Sequence, residues 1–308
     1  MTTWLALLAV GTTTAPSTDW AADYGLRVAE LATPEGVVQV YLPDKMAPGD
    51  SISGTVFAFG GGETVSARNA NLQLLQGREL SIAGTNVKVS DGIFTFQVPA
   101  DASTIEVVVR EVAGSGAVRS AVEVRPAAAA YSGIVAAPIV EEGFAIRVLG
   151  AFDGKRDSTD VKLDGIEAGV LAESPRECIV STMNRGPGAH RLQMAEGQIT
   201  LDQQINIARL TVTPPEEARI GKKSFMELIV DGLEDADPRG FPLQVVLRSS
   251  TPALLSFGEK TSVDVNQADV RGGQWKGKLE FKAKKKGTYH LSPQLVTQGF
   301  LSKIPTLR

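Results

Sequence analysis

The sequence has one cysteine, Cys178, and two histidines, His190 and His290, among its 308 residues. A single cysteine excludes an intrachain disulfide, and together with two histidines it leaves too few nitrogen and sulfur ligands for the usual protein zinc site. Nucleophilic catalysis is limited for the same reason, because an activated thiol or hydroxyl needs an adjacent base. Neither a G-x-S-x-G turn nor a P-loop pattern occurs. We therefore expect a protein that is not an enzyme, with no cofactor and no bound metal.

The chain also lacks an excess of positive charge and a long hydrophobic run. Its net charge is −4, so it has no global basic field to attract nucleic acid, and we expect no nucleic-acid partner. No apolar stretch reaches the roughly 18 residues that a membrane-spanning helix needs. The short apolar run at 4–10 precedes small residues, a pattern typical of an export signal, although no basic residue comes before Arg27. We expect a signal peptide at 1–22 and a periplasmic or extracellular location.

Helical periodicity is nearly absent, and short runs rich in Val, Ile, Phe and Thr take its place. Turn residues separate these runs, with 31 glycines and 16 prolines spread along the chain. Strand-sized runs at regular spacing, divided by turns, are typical of β-sandwiches. The clearest predicted strands are 37–42, 52–59, 93–98, 105–109, 144–149 and 243–247. The sequence thus predicts an all-β protein of tandem immunoglobulin-like β-sandwich domains.

Shifts in composition divide the chain after the signal peptide. The stretch Pro126–Ala130, a proline followed by four alanines, suits a connection between domains. We expect the following segments: a first β-sandwich at 23–126, a second at 131–208, a third at 209–298 and a C-terminal tail at 299–308.

The first segment has a G-x-V strand within A-P-G-D-S-I-S-G-T-V-F-A-F (47–59) and a later S-D-G-I-F-T-F-Q-V-P (90–99). Gly92 suits a tight turn because glycine adopts positive φ at little cost. Phe94 and Phe96 would share one face of the following strand. This pattern resembles carboxypeptidase-regulatory-like or transthyretin-like domains. The resemblance implies a β-sandwich that serves as a stalk or accessory module.

The second segment reads F-A-I-R-V-L-G-A-F-D-G (144–154), continues with D-V-K-L-D-G-I-E-A-G-V-L-A-E-S-P-R-E-C-I-V-S (160–181) and ends in G-P-G-A-H-R-L-Q-M (186–194). It resembles the IPT/TIG family of immunoglobulin-like domains over about residues 138–200. In this resemblance, Asp164 and Gly165 form a turn after a strand. The family includes members that bind DNA, stiffen surface receptors or bind polysaccharide. The resemblance implies a binding or structural module rather than a catalytic scaffold.

The third segment has a strand pattern at Trp275–Lys284, with apolar residues on one face and mostly lysines on the other. Two interpretations stay open for the lysine face. It is a patch for an anionic ligand, such as an acidic polysaccharide or a lipid headgroup, or it protects an edge strand from aggregation. The lysines concerned are Lys276, Lys278, Lys282 and Lys284.

Two groups of acidic residues and the two histidines are candidate sites. Calcium needs six to eight converging oxygens, and neither acidic group has the spacing of a known calcium loop, so both are interpreted as solvated turns. The two histidines and Cys178 are interpreted as structural. The first acidic group is Asp153, Asp157, Asp160 and Asp164, and the second is Asp231, Glu234, Asp235 and Asp237.

The sequence therefore predicts an exported, non-enzymatic, multi-domain β-sandwich protein that acts as a cell-surface or periplasmic binding or scaffold module. Its partners would be proteins or polysaccharide at the cell surface. The alternative is a structural subunit of an extracellular assembly, which self-associates through strand edges or through the tail at 299–308.

Overall fold

The structure is a computed structural model, and it describes residues 26–33, 36–43, 46–60, 78–90, 92–111, 117–124, 133–143, 145–155, 158–182, 185–215, 218–249, 253–257, 261–287 and 291–296. The predicted signal peptide (1–22), the connection at 126–130 and the tail (299–308) lie outside these residues.

β-strands make up most of the described chain, which confirms the predicted all-β class. Two short 3₁₀ turns lie between the strands, at Pro238–Gly240 and Gln267–Asp269. In chain order the strands are β1 (Leu26–Thr33), β2 (Gly36–Pro43), β3 (Ser51–Gly60), β4 (Arg78–Ile82), β5 (Thr85–Val87), β6 (Ile93–Gln97), β7 (Thr104–Glu111), β8 (Ala117–Glu123), β9 (Val135–Ala136), β10 (Ile139–Glu141), β11 (Ala145–Leu149), β12 (Thr159–Leu163), β13 (Ile166–Glu167), β14 (Val170–Ser174), β15 (Glu177–Ser181), β16 (Gly188–Glu196), β17 (Ile199–Thr213), β18 (Lys223–Asp231), β19 (Leu243–Ser249), β20 (Leu255–Phe257), β21 (Ser262–Val265), β22 (Trp275–Ala283) and β23 (Leu291–Val296).

The first hydrophobic core lies between two antiparallel groups of strands, β1-β2-β3-β6 and β5-β4-β7-β8. Phe94 is 1% exposed and Phe96 packs against the same core, so the two rings share a face as predicted. Gly92 has a φ of 78° at the turn before β6, which is the conformation that glycine was expected to supply. The largest fully buried side chains of this core are Leu42, Ile52, Ile82, Phe94 and Ile105.

The second core lies between β14-β15-β11-β9 and β13-β12-β16-β17. The strand β12 alternates strictly between buried and exposed residues, because its inner face meets the core and its outer face meets solvent. Asp164 and Gly165, with φ of 55° and 76°, form the turn from β12 to β13. Cys178 is fully buried in this core, as the interpretation of a structural thiol requires.

The third core lies between β17-β18-β22-β20 and β21-β19-β23. Its strand β22 places Trp275, Leu279, Phe281 and Ala283 on the buried face, as the sequence predicted. Gly277 lies on the same face, and a Cβ at that position would overlap the indole ring of Trp275. The ring therefore occupies the space that a side chain at residue 277 would need.

Successive cores are connected by continuous β-sheets. The strand β3 of the first core pairs with β14 of the second, with Ser53 opposite Glu173, so one sheet reaches across both cores. The long strand β17 pairs with β16 up to Ile207 and with β18 from Arg209 onward. The predicted boundary between 208 and 209 thus falls inside an unbroken strand. The predicted domain limits themselves stay predictions.

Candidate functional site

Three carboxylates meet in the second core, close to the sheet that it shares with the first. Glu173 lies on β14, Glu196 ends β16, and Asp153 lies between β11 and β12. Oxygen atoms of the three side chains lie within 4.8 Å of one another, and this group could hold a metal ion. Glu173 is 0% exposed and Glu196 is 8% exposed, whereas Asp153 is exposed. We call Asp153, Glu173 and Glu196 the acidic cluster.

Thr159, the first residue of β12, connects the two buried carboxylates. Its Oγ1 lies 2.7 Å from Oε2 of Glu173 and 2.7 Å from Oε2 of Glu196. The hydroxyl has one hydrogen, so it donates to one of these oxygens only. Glu196 also accepts a hydrogen bond at Oε1 from the backbone N–H of Asp153, at 3.0 Å. The two buried carboxylates are thus held in place by the start of β12, through Thr159, and by the segment between β11 and β12, through the backbone of Asp153.

Burial dominates the electrostatics of Glu173. It raises the pKa of this carboxyl from 4.5 to about 7, because a charge is poorly solvated in the protein interior. The hydrogen bond from Thr159 acts in the opposite direction, and the negative charges of Glu196 and Asp153 raise the pKa further. Oε1 of Glu173 is buried and has no hydrogen-bond partner among the described residues. Burial and the charge of Glu173 also raise the pKa of the Cys178 thiol.

The acidic cluster could not be found from the spacing of aspartates in one loop, because its members come from separate parts of the chain. Of Asp153, Asp157, Asp160 and Asp164, only Asp153 belongs to the cluster. Asp160 is exposed and lies 3.5 Å from Lys162, Asp164 contacts His190, and Asp157 lies outside the described residues. The available signal was Glu173 itself, a charged residue inside the apolar strand pattern V-L-A-E-S.

The second acidic group, which includes Asp231 and Asp237, has structural roles. Asp237 caps the 3₁₀ turn at 238–240 and pairs with Arg239 at 2.6 Å, which lowers the pKa of the Asp237 carboxyl. Asp231 accepts a hydrogen bond from Gln274 at 2.5 Å. Glu234 and Asp235 are exposed in the turn that follows β18. This arrangement agrees with the interpretation of a solvated turn.

His190 is held by two acceptors near the turn after β12. Its Nδ1 lies 2.8 Å from the carboxylate of Asp164 and its Nε2 lies 2.9 Å from the carbonyl oxygen of Gly186. Burial works against ionisation of Asp164, but hydrogen bonds from the backbone of Arg191 and from His190 leave its pKa below the usual value. Both ring nitrogens are therefore engaged in local structure. His290 lies outside the described residues.

The four lysines of the predicted patch are exposed, three on the outer face of β22 and Lys284 directly after this strand. Acidic side chains lie among them. Lys278 is 3.7 Å from Glu227, and Glu280 is paired at 2.8 Å with Lys223. The strand β22 has β18 on one side and β20 beside its last residues on the other, so it is only partly an edge strand. Whether Lys276, Lys278, Lys282 and Lys284 bind an anion stays a prediction.

Polar side chains reinforce both junctions between cores. At the first, Arg176 forms an ion pair with Asp50, and the hydroxyl of Thr55 donates to the carbonyl of Leu171. At the second, the buried side chain of Asn206 donates to the carbonyl oxygens of Gly232 at 3.0 Å and Glu234 at 2.8 Å. Separating the cores at either junction would leave these polar groups without their hydrogen-bond partners, which is costly for buried groups. The polar contacts therefore favour one arrangement of the strands at each junction.

The second junction also includes a buried carboxylate. Glu141 on β10 is 7% exposed and accepts a hydrogen bond from the backbone N–H of Leu295 at 2.9 Å. Strand β10 pairs in parallel with β17, so this contact links β23 of the third core to the strand shared by both cores. Ile139 on the same strand belongs to the third core.

No protein-family model matches the chain, and no curated protein matches its sequence. Within the described residues, no helix is long and apolar enough to cross a membrane.

Solved structures give only distant similarity. The chain is similar to the Bacteroides ovatus mixed-linkage glucan utilization locus protein SGBP-B in complex with a mixed-linkage heptasaccharide, at 13% identity and a TM-score of 0.25 over 85% of this chain and 68% of that one. It is similar to the S-layer protein rSbsC(31-844), at 9% identity and a TM-score of 0.19 over 89% of this chain and 47% of that one. It is similar to extracellular domains 3–5 of Drosophila OTK, at 11% identity and a TM-score of 0.18 over 92% of this chain and 98% of that one. Scores this low identify neither a family nor a ligand.

Proposed function

We propose that the chain is an exported, non-enzymatic scaffold or binding module of the cell surface or periplasm, built as a stiff row of β-sandwiches. The observation that supports this most is the pair of continuous sheets that connect the three cores. The β3–β14 pairing joins the first two cores in addition to the chain connection between β8 and β9, and the single strand β17 passes directly from the second core to the third.

A stiff connection matters because flexible linkers let neighbouring domains move relative to each other. In β17, residues 205–208 are all buried, because this part of the strand is covered on both faces where it passes from the second core to the third. Bending at this point would expose apolar side chains and break ladder hydrogen bonds. The row of cores would therefore hold a partner, or a further segment, at a fixed distance from its attachment point.

The proposal that the chain is not an enzyme rests on the state of its reactive groups. The thiol of Cys178 is fully buried, and burial raises its pKa, so the reactive thiolate is disfavoured. The ring of His190 is engaged at both nitrogens.

We further propose that residues of about 138–200 form a domain similar to the IPT/TIG family, and that the first segment is similar to carboxypeptidase-regulatory-like or transthyretin-like domains. The proposed partners are proteins or polysaccharide at the cell surface.

Small-angle X-ray scattering on the full chain tests the stiffness. We expect an elongated particle whose scattering fits one rigid arrangement of the three cores at all protein concentrations. Scattering that requires an ensemble of freely jointed domains would contradict the proposal.

Location is tested separately in the organism that produces the chain. An antibody against the chain should detect it in the periplasmic, envelope or extracellular fraction, with a cytoplasmic enzyme as the fractionation control. Recovery in the cytoplasmic fraction would contradict an exported scaffold, whatever the scattering shows.

A further inference from the structure

We propose that Asp153, Glu173 and Glu196, together with the hydroxyl of Thr159, form a binding site for a divalent cation of the calcium type. This inference goes beyond the scaffold function and does not depend on it, because it concerns the chemistry of one site in the second core. It also revises the expectation, made from the sequence, that the chain has no metal site.

The acidic cluster has no positively charged partner among the residues that the structure describes. Oxygens of three carboxylates lie within 4.8 Å of one another, and two of the three side chains are buried. Among the described residues, no Lys, Arg or His forms an ion pair with any of them. Buried charges in proteins are normally paired or coordinate a metal. A divalent cation placed among the three carboxylates would supply the missing positive charge.

One oxygen of Glu173 lacks an ordinary hydrogen bond. This residue is 0% exposed, yet its Oε1 accepts no hydrogen bond of normal geometry from the described residues. The other group that interacts with this carboxyl is the thiol of Cys178, which is only a weak donor. The side chain is directed into the cluster, since it offers one of the oxygens that lie within 4.8 Å of those of Asp153 and Glu196. A buried polar atom without a partner is uncommon and points to a missing ligand.

The hydroxyl of Thr159 gives a related indication. It lies 2.7 Å from one oxygen of each buried glutamate, but its single hydrogen satisfies only one of them. A cation that binds both carboxylates would relieve the remaining oxygen–oxygen repulsion. The lone pairs of the same hydroxyl are available to such a cation.

The donor set selects the class of cation. Carboxylate and hydroxyl oxygens are hard ligands, which suit calcium, magnesium and manganese rather than zinc or copper. Calcium accepts six to eight oxygens in irregular geometry, whereas magnesium requires nearly ideal octahedral geometry and keeps its waters. Three carboxylates from three separate chain segments, of which exposed Asp153 lies at the solvent side, fit the less demanding ion. Water would complete the coordination on that side.

The position of the site gives it a structural consequence. Asp153 precedes Gly154, which has a φ of 77° and lies so close to β3 that a Cβ would overlap the carbonyl oxygen of Ser51. The cluster thus joins the segment between β11 and β12 to β14 and β16, beside the first junction. Cation binding should therefore stabilise the second core where the first core contacts it.

Isothermal titration calorimetry on the full chain, freed of metal with a chelator, tests the site. Calcium chloride titrated to about 10 mM should give saturable binding of one ion with a Kd of about 1 mM or tighter, and magnesium should bind less tightly. Thermal unfolding should show a higher Tm in calcium than in chelator, because a ligand that binds only the folded state stabilises it. Absence of saturable calcium binding would overturn the proposal.

Substitutions locate the binding. Asp153→Asn alters an exposed ligand and should weaken calcium binding at least about tenfold without loss of fold. Glu173→Gln should abolish the binding. The matched controls, Asp160→Asn and Glu167→Gln, change exposed residues outside the cluster and should bind as the natural chain does. Unchanged binding in both cluster variants would overturn the proposed site, and tighter binding of magnesium than calcium would overturn the assigned class of ion.

Discussion

In the absence of a divalent cation, the stability of the second core should fall as pH rises from about 4.5 to about 7, and Glu173 should account for most of the fall. The folded-state pKa of this carboxyl is raised to about 7 from an ordinary value of 4.5. A folded pKa above the unfolded value means that the folded state holds the proton more tightly. The resulting stability is complete below about pH 4.5 and is lost as pH rises through about 7.

The size of the effect follows from the pKa change. A rise from 4.5 to about 7, at about 1.4 kcal/mol for each pH unit, corresponds to roughly 3 kcal/mol of unfolding free energy lost between pH 4.5 and pH 8.5. Glu173→Gln removes the ionisation and should make the chain more stable than the natural one at pH 8.5, by up to that amount.

Urea unfolding followed by far-ultraviolet circular dichroism, in chelator and at a series of pH values, measures the effect. The natural chain and Glu173→Gln should converge near pH 4.5, differ by about 2 kcal/mol at pH 6 and approach the full difference of roughly 3 kcal/mol above about pH 7. The control Glu167→Gln alters an exposed residue on β13 and should follow the natural chain throughout. Parallel curves for the natural chain and Glu173→Gln would show that Glu173 does not carry a raised pKa and would refute the reasoning.

Three other predictions use different parts of the fold. Gly277→Ala should lower the unfolding free energy by about 1–3 kcal/mol, measured by urea unfolding, because the new methyl group displaces the Trp275 ring; an unchanged midpoint would contradict this. Asn206→Ala leaves two carbonyl oxygens at the second junction without their donor, so it should lower the free energy of unfolding by about 1–3 kcal/mol. The second junction should also become less rigid, so that small-angle X-ray scattering requires a broader range of particle sizes. Glu227 and Glu280 lie among the four lysines of the predicted patch and reduce its positive charge. Replacing the four lysines with Gln should therefore leave binding to an anionic polysaccharide column as weak as that of the natural chain at about 0.15 M salt. A salt-sensitive loss of binding would favour the patch interpretation instead. The lysines to replace are Lys276, Lys278, Lys282 and Lys284.

Local sequence patterns predicted the strands and turns well. The alternation in β22 places Trp275 and Phe281 inside, because a strand with one solvated face repeats every two residues. The turn at Asp164 and Gly165 has positive φ at both residues, the conformation that this dipeptide favours between paired strands. These features depend on neighbours a few residues apart, so the sequence contains all of the information that they need.

The junctions could not be predicted in the same way. The strand β17 reads as one long run, and nothing local marks the point near Ile207 where its partner changes from β16 to β18. The pairing of Ser53 with Glu173 joins residues that are far apart in the chain. Such contacts depend on the final arrangement of the sheets, so a division by composition places a boundary where the fold has a continuous strand.

The acidic cluster shows the same limit for function. Each of its members has an ordinary local explanation: Asp153 precedes a turn glycine, and Glu196 precedes the turn at 197–198. Only Glu173 contradicts its surroundings, since a carboxylate in the middle of an apolar strand is costly to bury without a partner. Such a residue is therefore the best sequence signal for a site that tertiary contacts assemble. Its partners can be identified only when the topology has brought β14, β16 and the start of β12 together.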